Sequence, residues 1–361
     1  MKADGVRRAV DAGVGPGIDP VWLDVLANYG LGQPGHAEAA GGTASPKLLV
    51  RVGARSYLVR RRRPTSSADE VISFDHGVIG SMVDAGLPTV RPIAAADGRT
   101  WVRLGEHAYE AFPFVSGLVA HSQGNVRQLE AAARTLARLH RATDSLMPPG
   151  RKDWPREHCI QDMTGTLRQE LAGAAERDAR LPAARAMLAS AERLAGVLSD
   201  PLVARLPRVI VHGDYTPANV LFRGDRVGGV FDLDWVSRQP RVLDVGEALQ
   251  FFAFRRNSAL DPDSIWSLVQ AWEPDEAAAA AFLRAYQSTW PLDDDESGAL
   301  PLFMLETWLG VHIRAMRKVV PEDRLSILTD GALEPLRWLE EQAGAIRRLV
   351  TATRGGMSGA S

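Results

Sequence analysis

The chain has 361 residues, of which 45% are hydrophobic and 24% charged, and its formal net charge is −2. This is the composition of an ordinary globular protein, and it gives no support for nucleic-acid binding, which favours a strongly basic face. No run of about 18 apolar residues occurs, so we expect no membrane span, while the single cysteine, Cys159, excludes an internal disulfide and fits a reducing, cytoplasmic location.

The first third of the chain is predicted to be rich in β-strands, with one helix. Two apolar-alternating runs, PKLLVRVG and RSYLVRRRR, flank Gly53-Ala54-Arg55 and predict a hairpin. The next segment, SADEVISFDHGVIGSMVDAGLP, has helical spacing and ends at Gly86 and Pro88. Three further strands are predicted in TVRPIAA, RTWVRLG and HAYEAFPFV.

After Ser116-Gly117 the pattern becomes that of long helices, one of which is predicted to break near Pro182. A short β insertion follows in RVIVHG, NVLFRG and RVGGVFDLDW, and the rest of the chain is again helical. Segregated strands and helices of this kind predict an α+β fold. We expect a β-rich N-lobe at 19–115, a helical C-lobe at 116–352, and poorly ordered ends at 1–18 and 353–361.

The β insertion carries polar residues where buried strand is otherwise expected, in VHGDYTPANVLF and FDLDW. Burying such groups without partners is costly, so the pattern indicates a binding site. Phosphoryl transfer from ATP to a hydroxyl needs oxygen ligands for Mg²⁺ and a carboxylate that orients the hydroxyl and accepts its proton. Protein kinases supply these groups as an Asp, an Asn and a second Asp in chain order. Asp214, Asn219 and Asp232 match that order, with the same five-residue Asp-to-Asn interval.

The pattern HGDYTPANVLF…GVFDLDW resembles the signature of the aminoglycoside phosphotransferase and choline kinase superfamily. Its members share a two-lobed, protein-kinase-like fold. The resemblance runs from about Gly30 to Ala253 and includes the following segments: GGTASPKLLVRV, SYLVRR, MVDAGLPTVRPI, FPFVSG, LARLH and RVLDVGEAL. It implies a Mg²⁺-dependent small-molecule kinase, monomeric or homodimeric, that binds ATP, or alternatively GTP, beside a hinge at Phe112, Phe114 and Val115.

The resemblance also implies roles around the catalytic loop. Asp214 is the implied catalytic base, and Asn219 and Asp232 are the implied Mg²⁺ ligands. Asp234 matches a second acid of the family, which either contacts a second metal ion or braces the strand. His212 and Asp244 are implied to hold the loop in place.

Further residues are implied to bind the nucleotide. Arg60 stands where the family often has lysine, and arginine binds phosphate oxygens bidentately, but the register within Arg60–Arg63 is open. Asp75 is the implied partner of this base, with Glu70 as the fallback. A proline, Pro46, removes one backbone donor from the phosphate-covering loop. That loop is implied at Gly42, Thr43 and Ser45.

The acceptor is a small molecule with a free hydroxyl, and two classes remain open. An antibiotic or related natural product comes first, and a primary metabolite such as homoserine, choline or a sugar comes second. The segment LFMLETWLGVHIRAM places Glu306, Trp308 and His312 on one helix, where they either line a substrate pocket or pack in the core. The acidic run Asp293–Glu296 either attracts a polycation or begins a helix. An alternative of another class is a pseudokinase scaffold, which the complete acid and amide set disfavours.

Overall fold

The structure is a computed structural model of the chain. Most of the two end segments predicted to be poorly ordered lies outside the residues that the structure describes, and so do Gly42 and Thr43. At the C-terminal end the last helix continues to Thr353, and the Arg354 side chain donates a hydrogen bond to Ser297. The described residues are 18–41, 45–153, 158–174, 177–198, 200–261 and 263–354.

The contacts divide the chain into two units. Unit 1 holds the residues up to Asp84, together with Thr89–Gly117 and Met147–Lys152. Unit 2 holds Ala85–Pro88, Leu118–Leu146 and the residues from Asp153 onward. The predicted α+β fold class is confirmed.

Unit 1 is built on a five-stranded antiparallel sheet in the order β1-β2-β3-β5-β4. The apolar faces of these strands pack against helix α1, where Trp22 meets the Tyr109 ring edge-on at 5.4 Å. The elements are α1 Pro20–Asn28, β1 His36–Ala39, β2 Lys47–Val52, β3 Arg55–Arg61, α2 Asp69–Asp84, β4 Val102–Leu104 and β5 His107–Pro113.

Most of the strand and turn predictions for unit 1 hold, but the prediction of a single helix is wrong, because α1 precedes the sheet and α2 follows β3. The predicted hairpin is confirmed, because β2 and β3 pair with Val52 opposite Arg55. The strand predicted in TVRPIAA is wrong: the segment is extended but forms no regular strand. Ile93 N donates to Ala111 O at 2.8 Å, so the segment follows β5 without forming a ladder.

Unit 2 is mainly helical. The predicted helix break near Pro182 is confirmed, since this proline lies in the first turn of α5. A stretch with π-helical geometry, Leu249–Ala253, follows α7 directly. The helices are α3 Val126–Thr143, α4 Ile160–Ala172, α5 Leu181–Val197, α6 Asp200–Arg205, α7 Val242–Ala248, α8 Ile265–Leu268, α9 Glu276–Gln287, α10 Asp294–Met316, α11 Arg324–Thr329, α12 Leu333–Glu341 and α13 Ala343–Thr353.

Three two-stranded antiparallel sheets complete unit 2. The hairpin of β7 and β8 turns at Gly224-Asp225, as the sequence predicts. β6 pairs with β9, a strand that the sequence analysis did not predict. The strands are β6 Arg208–Val211, β7 Val220–Arg223, β8 Arg226–Val230, β9 Ser237–Pro240, β10 Arg255–Arg256 and β11 Trp272–Glu273.

The acidic run at 293–296 begins helix α10. Asp293 is the N-cap, and it forms a reciprocal capping box with Glu296. Glu296 is also buried, and both of its oxygens accept hydrogen bonds from Arg241, at 2.5 and 2.6 Å. These bonds explain the run without a substrate. Among the helices of the described residues, none is long and apolar enough to cross a lipid bilayer.

Candidate active site

The loop between β6 and β7 is tied to helix α7 by one buried carboxylate. Asp244 accepts hydrogen bonds from the backbone N of His212 at 2.6 Å and of Gly213 at 2.8 Å. Its Oδ2 also lies 3.0 Å from His140 Nε2 of helix α3. Gly213 has φ +78°, a conformation that suits glycine and lets two successive N–H groups point at one carboxylate. The loop is therefore held from outside by two helices.

Within this loop, the predicted base and the predicted amide ligand are bonded to each other. Asn219 Nδ2 donates to Asp214 Oδ2 at 2.8 Å and to Asp214 O at 3.0 Å. The side-chain nitrogen is thereby engaged, and the amide oxygen Oδ1 is turned away from Asp214. An amide fixed in this way presents its oxygen as a ligand for a hard cation.

His212 joins the loop to the end of β8. Its Nδ1 lies 3.3 Å from Asp214 N, which donates to it, and its Nε2 donates to Phe231 O at 3.0 Å. Nδ1 accepts and Nε2 donates, and together these bonds fix the orientation of the ring. The ring is used for positioning in this arrangement, and its nitrogens are both occupied.

Asp232 enters the site beside Asn219. Val220 pairs with Val230 on the hairpin, and Phe231 N donates to Asn219 O at 2.9 Å, which extends the pairing by one step. Asp232 follows at once, with φ 57°, the single positive φ among the described non-glycine residues. A strained backbone of this kind is typical of functional sites. The acid that follows, Asp234, is buried in a short 3₁₀ turn.

Burial and neighbouring carboxylates raise the pKa of two acids at this site, Asp214 and Glu247. Burial raises the pKa of Asp214, and the charge of Asp232 raises it further. Burial also raises the pKa of Glu247 well above its usual range, and the charges of Asp214 and Asp244 add to this. Glu247 accepts a 2.7 Å hydrogen bond from Tyr215 N, so it supports the loop directly after Asp214.

The donor set fits a magnesium ion. Asn219 and Asp232 supply oxygen atoms, and the mutual repulsion of the carboxylates would be relieved by a cation. Within the described ranges, no group of three or more His, Cys, Asp or Glu side chains could form a metal cage alone. Mg²⁺ usually takes only one or two protein carboxylates and completes its shell with phosphate and water, so this set matches the ion.

A further acid, Glu306, lies on helix α10. Burial raises the pKa of Glu306 to about 7, and a hydrogen bond from the Ile160 backbone and the charge of Arg314 offset only part of this effect. The same Arg314 charge lowers the pKa of both Asp214 and Glu247. One arginine therefore acts on the predicted base and on two further acids.

The other two residues predicted for the substrate pocket are packed in the core. Trp308 Nε1 donates to Ala332 O at 3.0 Å, and its ring centroid lies 4.5 Å from that of His312. Burial lowers the pKa of His312 to about 4, and its Nδ1 bonds Ile327 O at 3.0 Å. Core packing accounts for the positions of both residues.

Unit 1 contains a buried cluster around the predicted phosphate-binding base. Arg60 Nε donates to Glu110 at 2.7 Å, and Arg62 Nη1 donates to the other oxygen of Glu110 at 2.5 Å. It is Arg62 that bonds Asp75, through Nη2. The pair predicted between Arg60 and Asp75 is therefore formed two residues further along. Arg60 and Arg62 lie on the same face of the strand, because side chains alternate with a period of two.

Asp75 has a second basic partner, Lys152, whose Nζ donates to it at 2.6 Å. The segment that carries Lys152 passes close to α2 at Gly150, where φ is +79° and a Cβ would lie 2.1 Å from Glu70 O. Burial raises the pKa of Asp75, and the charges of Lys152 and Arg62 offset only part of this rise.

Glu110 responds in the opposite direction. Burial raises its pKa, but the charges of Arg60 and Arg62 and a 2.8 Å hydrogen bond with His76 outweigh burial and hold the pKa well below its usual range. Three cations, Arg60, Arg62 and Lys152, thus face two carboxylates. Guanidinium and ammonium groups of this kind bind phosphate oxygens through charge-assisted hydrogen bonds.

The residues predicted for the hinge follow this cluster along β5. Phe112 is buried, with the Arg60 guanidinium 5.6 Å from its ring centroid. Phe114 is exposed and Val115 is half-buried. Phe114 N donates to Ser56 O at 2.9 Å, which fixes the chain there. Ser45, the one described residue of the predicted phosphate loop, is half-buried next to β2.

Three residues of these clusters were not identified from the sequence. Glu110 is an acid at a buried position of an apolar strand, and that pattern is a signal that could have been read. Glu247 follows Asp244 by three residues on α7, so the helical period places both on one face. Lys152 gave no signal, because it lies in a segment between elements.

Comparisons with known proteins show the family and the relatives of this chain. The family model described as the phosphotransferase enzyme family matches residues 36–295, which is more than half of the chain. A homoserine kinase of Rhodopseudomonas palustris is 25% identical over 333 residues, which cover 89% of this chain and 92% of that protein.

Solved structures show the same fold. An aminoglycoside phosphotransferase from Alicyclobacillus acidocaldarius superposes with a TM-score of 0.65 at 20% identity, over 96% of this chain and 100% of that one. An amicoumacin kinase, solved in complex with AMP-PNP, Ca²⁺ and its substrate, superposes with a TM-score of 0.59 at 13% identity, over 87% and 89% of the two chains.

Proposed function

Because the chain belongs to the phosphotransferase enzyme family, we propose that it transfers the γ-phosphate of Mg²⁺-ATP to the hydroxyl of a small amino alcohol. The observation that carries the proposal is the bond between Asn219 Nδ2 and Asp214 Oδ2, with Asp232 emerging beside it. It brings one carboxylate for a hydroxyl and two oxygen ligands for a metal into one hairpin.

Asp214 is the residue that would act on the acceptor. Its Oδ2 is held by Asn219, which leaves Oδ1 to accept a hydrogen bond from the acceptor hydroxyl. Burial and the charge of Asp232 raise the pKa of Asp214, which makes it a better proton acceptor in its ionised form. Orientation of the hydroxyl and acceptance of its proton are the two contributions that phosphoryl transfer asks of such a residue.

Asn219 and Asp232 would hold Mg²⁺, which neutralises charge on the phosphates when it is bound. Arg60 would grip the phosphates. Of the two arginines on its strand face, its side chain is the more accessible, with 11% exposure, whereas Arg62 is fully buried between Asp75 and Glu110. In this proposal Arg62 and Lys152 hold Asp75 and Glu110 in place, and Arg60 makes the phosphate contact.

The acceptor follows from charge and from similarity. The side chains of Asp214, Asp232 and Glu247 belong to one loop and the elements that hold it, and a group of acids favours an amine over an uncharged alcohol. The similarity to homoserine kinases over most of both chains supports a primary amino alcohol as the first acceptor class. An amine-bearing natural product is the second class, because the same acids would attract a polycation.

The experiment is a mass-spectrometric screen for transfer of one phosphoryl group from Mg²⁺-ATP, run also with GTP. The acceptors are L-homoserine, 3-aminopropan-1-ol, choline, an aminoglycoside and glycerol, the last as an alcohol without an amine. We expect phosphorylation of an amine-bearing acceptor and none of glycerol. Nucleotide binding with no product from any acceptor would favour the pseudokinase alternative instead.

A further inference from the structure

Arg256 is a buried arginine that is held in a fixed position and has no role in the proposed phosphoryl transfer. It belongs to β10, just after the π-helical stretch, and π-helical turns are frequent at functional sites. Its side chain is almost wholly enclosed, and the whole residue is 6% exposed. Gln123 bonds both of its backbone groups, accepting from Arg256 N at 3.1 Å and donating to Arg256 O at 3.0 Å. The backbone is therefore clamped.

One edge of the guanidinium is engaged and the other is not. Nη1 donates to Gln250 O at 2.6 Å, and Cζ lies 4.4 Å from the ring centroid of Phe251. Nε and Nη2 are buried and have no hydrogen-bond partner in the described part of the chain. These two nitrogens carry parallel N–H groups on one edge, which is the edge that binds a carboxylate through two hydrogen bonds.

No carboxylate among the described residues forms an ion pair with Arg256. Two other buried arginines differ from it in this respect. Arg62 bonds Asp75 and Glu110, and Arg241 bonds both oxygens of Glu296. Burial of a charge without a counter-ion is strongly unfavourable. Burial lowers the pKa of Arg256 to about 9, so the group still carries its charge at neutral pH.

We propose that the Nε and Nη2 edge of Arg256 binds the carboxylate of a small organic acid. One negative charge matches the one positive charge, whereas a phosphate dianion would leave an unbalanced charge in the same enclosed place. Gln250 Oε1, a buried acceptor without a partner among the described residues, belongs to the same stretch and favours a ligand that also carries a donor.

A residue of the π-helical stretch beside Arg256 contacts the loop that carries Asp214. Phe252, next to Phe251, has its ring centroid 5.9 Å from that of Tyr215, the residue after Asp214. The carboxylate therefore has two possible sources: it belongs to the acceptor itself, or it belongs to a separate acid that regulates the enzyme. Only this question of source rests on the proposed function, since binding at Arg256 does not require turnover.

The test measures binding without nucleotide, by calorimetry and by the melting temperature. The probes are L-homoserine, butyrate and 3-aminopropan-1-ol, which is homoserine without its carboxylate. We expect the two carboxylates to bind and the amino alcohol to bind at least tenfold more weakly. Arg256→Lys keeps the charge but loses the paired donors, so it should weaken carboxylate binding about 10- to 100-fold. Arg255→Lys, an exposed neighbour paired with Glu273, is the matched control and should change nothing.

Turnover separates the two sources. If Arg256→Lys raises the KM of homoserine and leaves that of 3-aminopropan-1-ol unchanged, the carboxylate is that of the acceptor. If both KM values are unchanged while butyrate binding is lost, the carboxylate is that of a regulator. The inference is overturned if neither carboxylate binds the wild type, or if Arg256→Lys binds them equally well, as it would if water satisfied the guanidinium. Carboxylate binding with no phosphorylated product would contradict the proposed function alone.

Discussion

At the scale of single residues, the proposed site is distinguished by acids whose surroundings disfavour the ionised form. Asp214, Glu247 and Glu306 all have raised pKa values, and burial is the largest cause in each case. Desolvation disfavours the charged form, so each acid stores free energy that a bound cation or amine can recover. Active sites are where such shifts collect.

Asp214→Asn is expected to lower kcat by a factor of about 10² to 10⁴, because the variant can neither accept the hydroxyl proton nor orient it with a charge. Affinity for Mg²⁺-ATP should stay within a few-fold, since Asn219 and Asp232 remain. The measurements are steady-state kinetics and calorimetric nucleotide binding. Asp225→Asn, in the exposed hairpin turn, is the matched control. Normal turnover by Asp214→Asn would remove the residue from its proposed role.

The raised pKa of Glu306 predicts that the stability of the protein depends on pH. Its pKa of about 7 in the folded protein lies above its ordinary value of 4.5, so the folded state binds the proton more tightly. Protonation of Glu306 therefore stabilises the folded state. This stabilisation is fully present below pH 4.5 and is lost as the pH rises to 7. The free energy of unfolding should fall across this window by at most about 1.4 kcal/mol per pH unit, and by less where solvent screens the group.

The measurement is urea denaturation at pH 5, 6 and 7. Glu306→Gln cannot titrate, so its unfolding free energy should decline less with pH than that of the wild type. Glu334→Gln, on the exposed face of α12, should retain the wild-type slope. Equal slopes for all three proteins would show that Glu306 titrates normally.

At the scale of elements, α7 is the helix that positions the catalytic loop. Asp244 in its first turn bonds two loop N–H groups and His140, and Glu247 one turn later bonds Tyr215 N. His140 Nδ1 in turn lies 2.8 Å from the Tyr286 hydroxyl of α9. The loop geometry is thus set by hydrogen bonds to α3, α7 and α9 rather than by the loop sequence alone.

Asp244→Asn is expected to destabilise the protein by about 2 to 4 kcal/mol, because the amide keeps one accepting oxygen where three donors converge. Turnover should fall as well, since Gly213 and His212 lose their fixed positions. Urea denaturation gives the first quantity and kinetics the second. Asp84→Asn, a surface aspartate whose side chain is 74% exposed, should change stability by less than about 0.5 kcal/mol. A similarly small change in Asp244→Asn would exclude the tethering role.

At the scale of the whole molecule, the proposed nucleotide ligand links binding to folding. In the proposal, Asn219 and Asp232 hold the Mg²⁺ of this ligand and Arg60 contacts its phosphates. A ligand that binds only the folded chain stabilises it by mass action. The nucleotide is therefore expected to act on the stability of the protein as well as on its chemistry.

Mg²⁺-ATP at a concentration of 100 times its Kd should raise the free energy of unfolding by about 2.7 kcal/mol. Asp232→Asn should lose most of the Mg²⁺-dependent part of this gain while remaining folded, because asparagine tolerates the positive φ that Asp232 adopts. The measurement is the melting temperature with ATP alone and with Mg²⁺-ATP. An unchanged Mg²⁺ effect in Asp232→Asn would argue against Asp232 as a metal ligand.

Much of the fold and the centre of the site were predictable, for a local reason. Asp214, Asn219 and Asp232 lie within one loop and the hairpin after it, so their spacing along the chain nearly determines their separation in space. Strand alternation, helical period, glycine turns and Pro182 likewise act over a few residues, and they predicted the first hairpin and the helix break. The prediction of a strand in TVRPIAA failed for a different reason. Alternation indicates an extended chain, but it does not show whether a neighbouring strand forms the full set of backbone hydrogen bonds with it.

By itself, then, the sequence determined the fold class and the family pattern of an acid, an amide and a second acid. Only the tertiary structure decided that Arg62 rather than Arg60 bonds Asp75, because residues two apart on a strand share a face. It also decided that Lys152 bonds Asp75 and that Glu110 bonds both arginines. Among the described residues, it places no carboxylate beside Arg256. Those pairings join segments that are far apart in the chain, where the free energy of burial, and not local spacing, selects which charges meet.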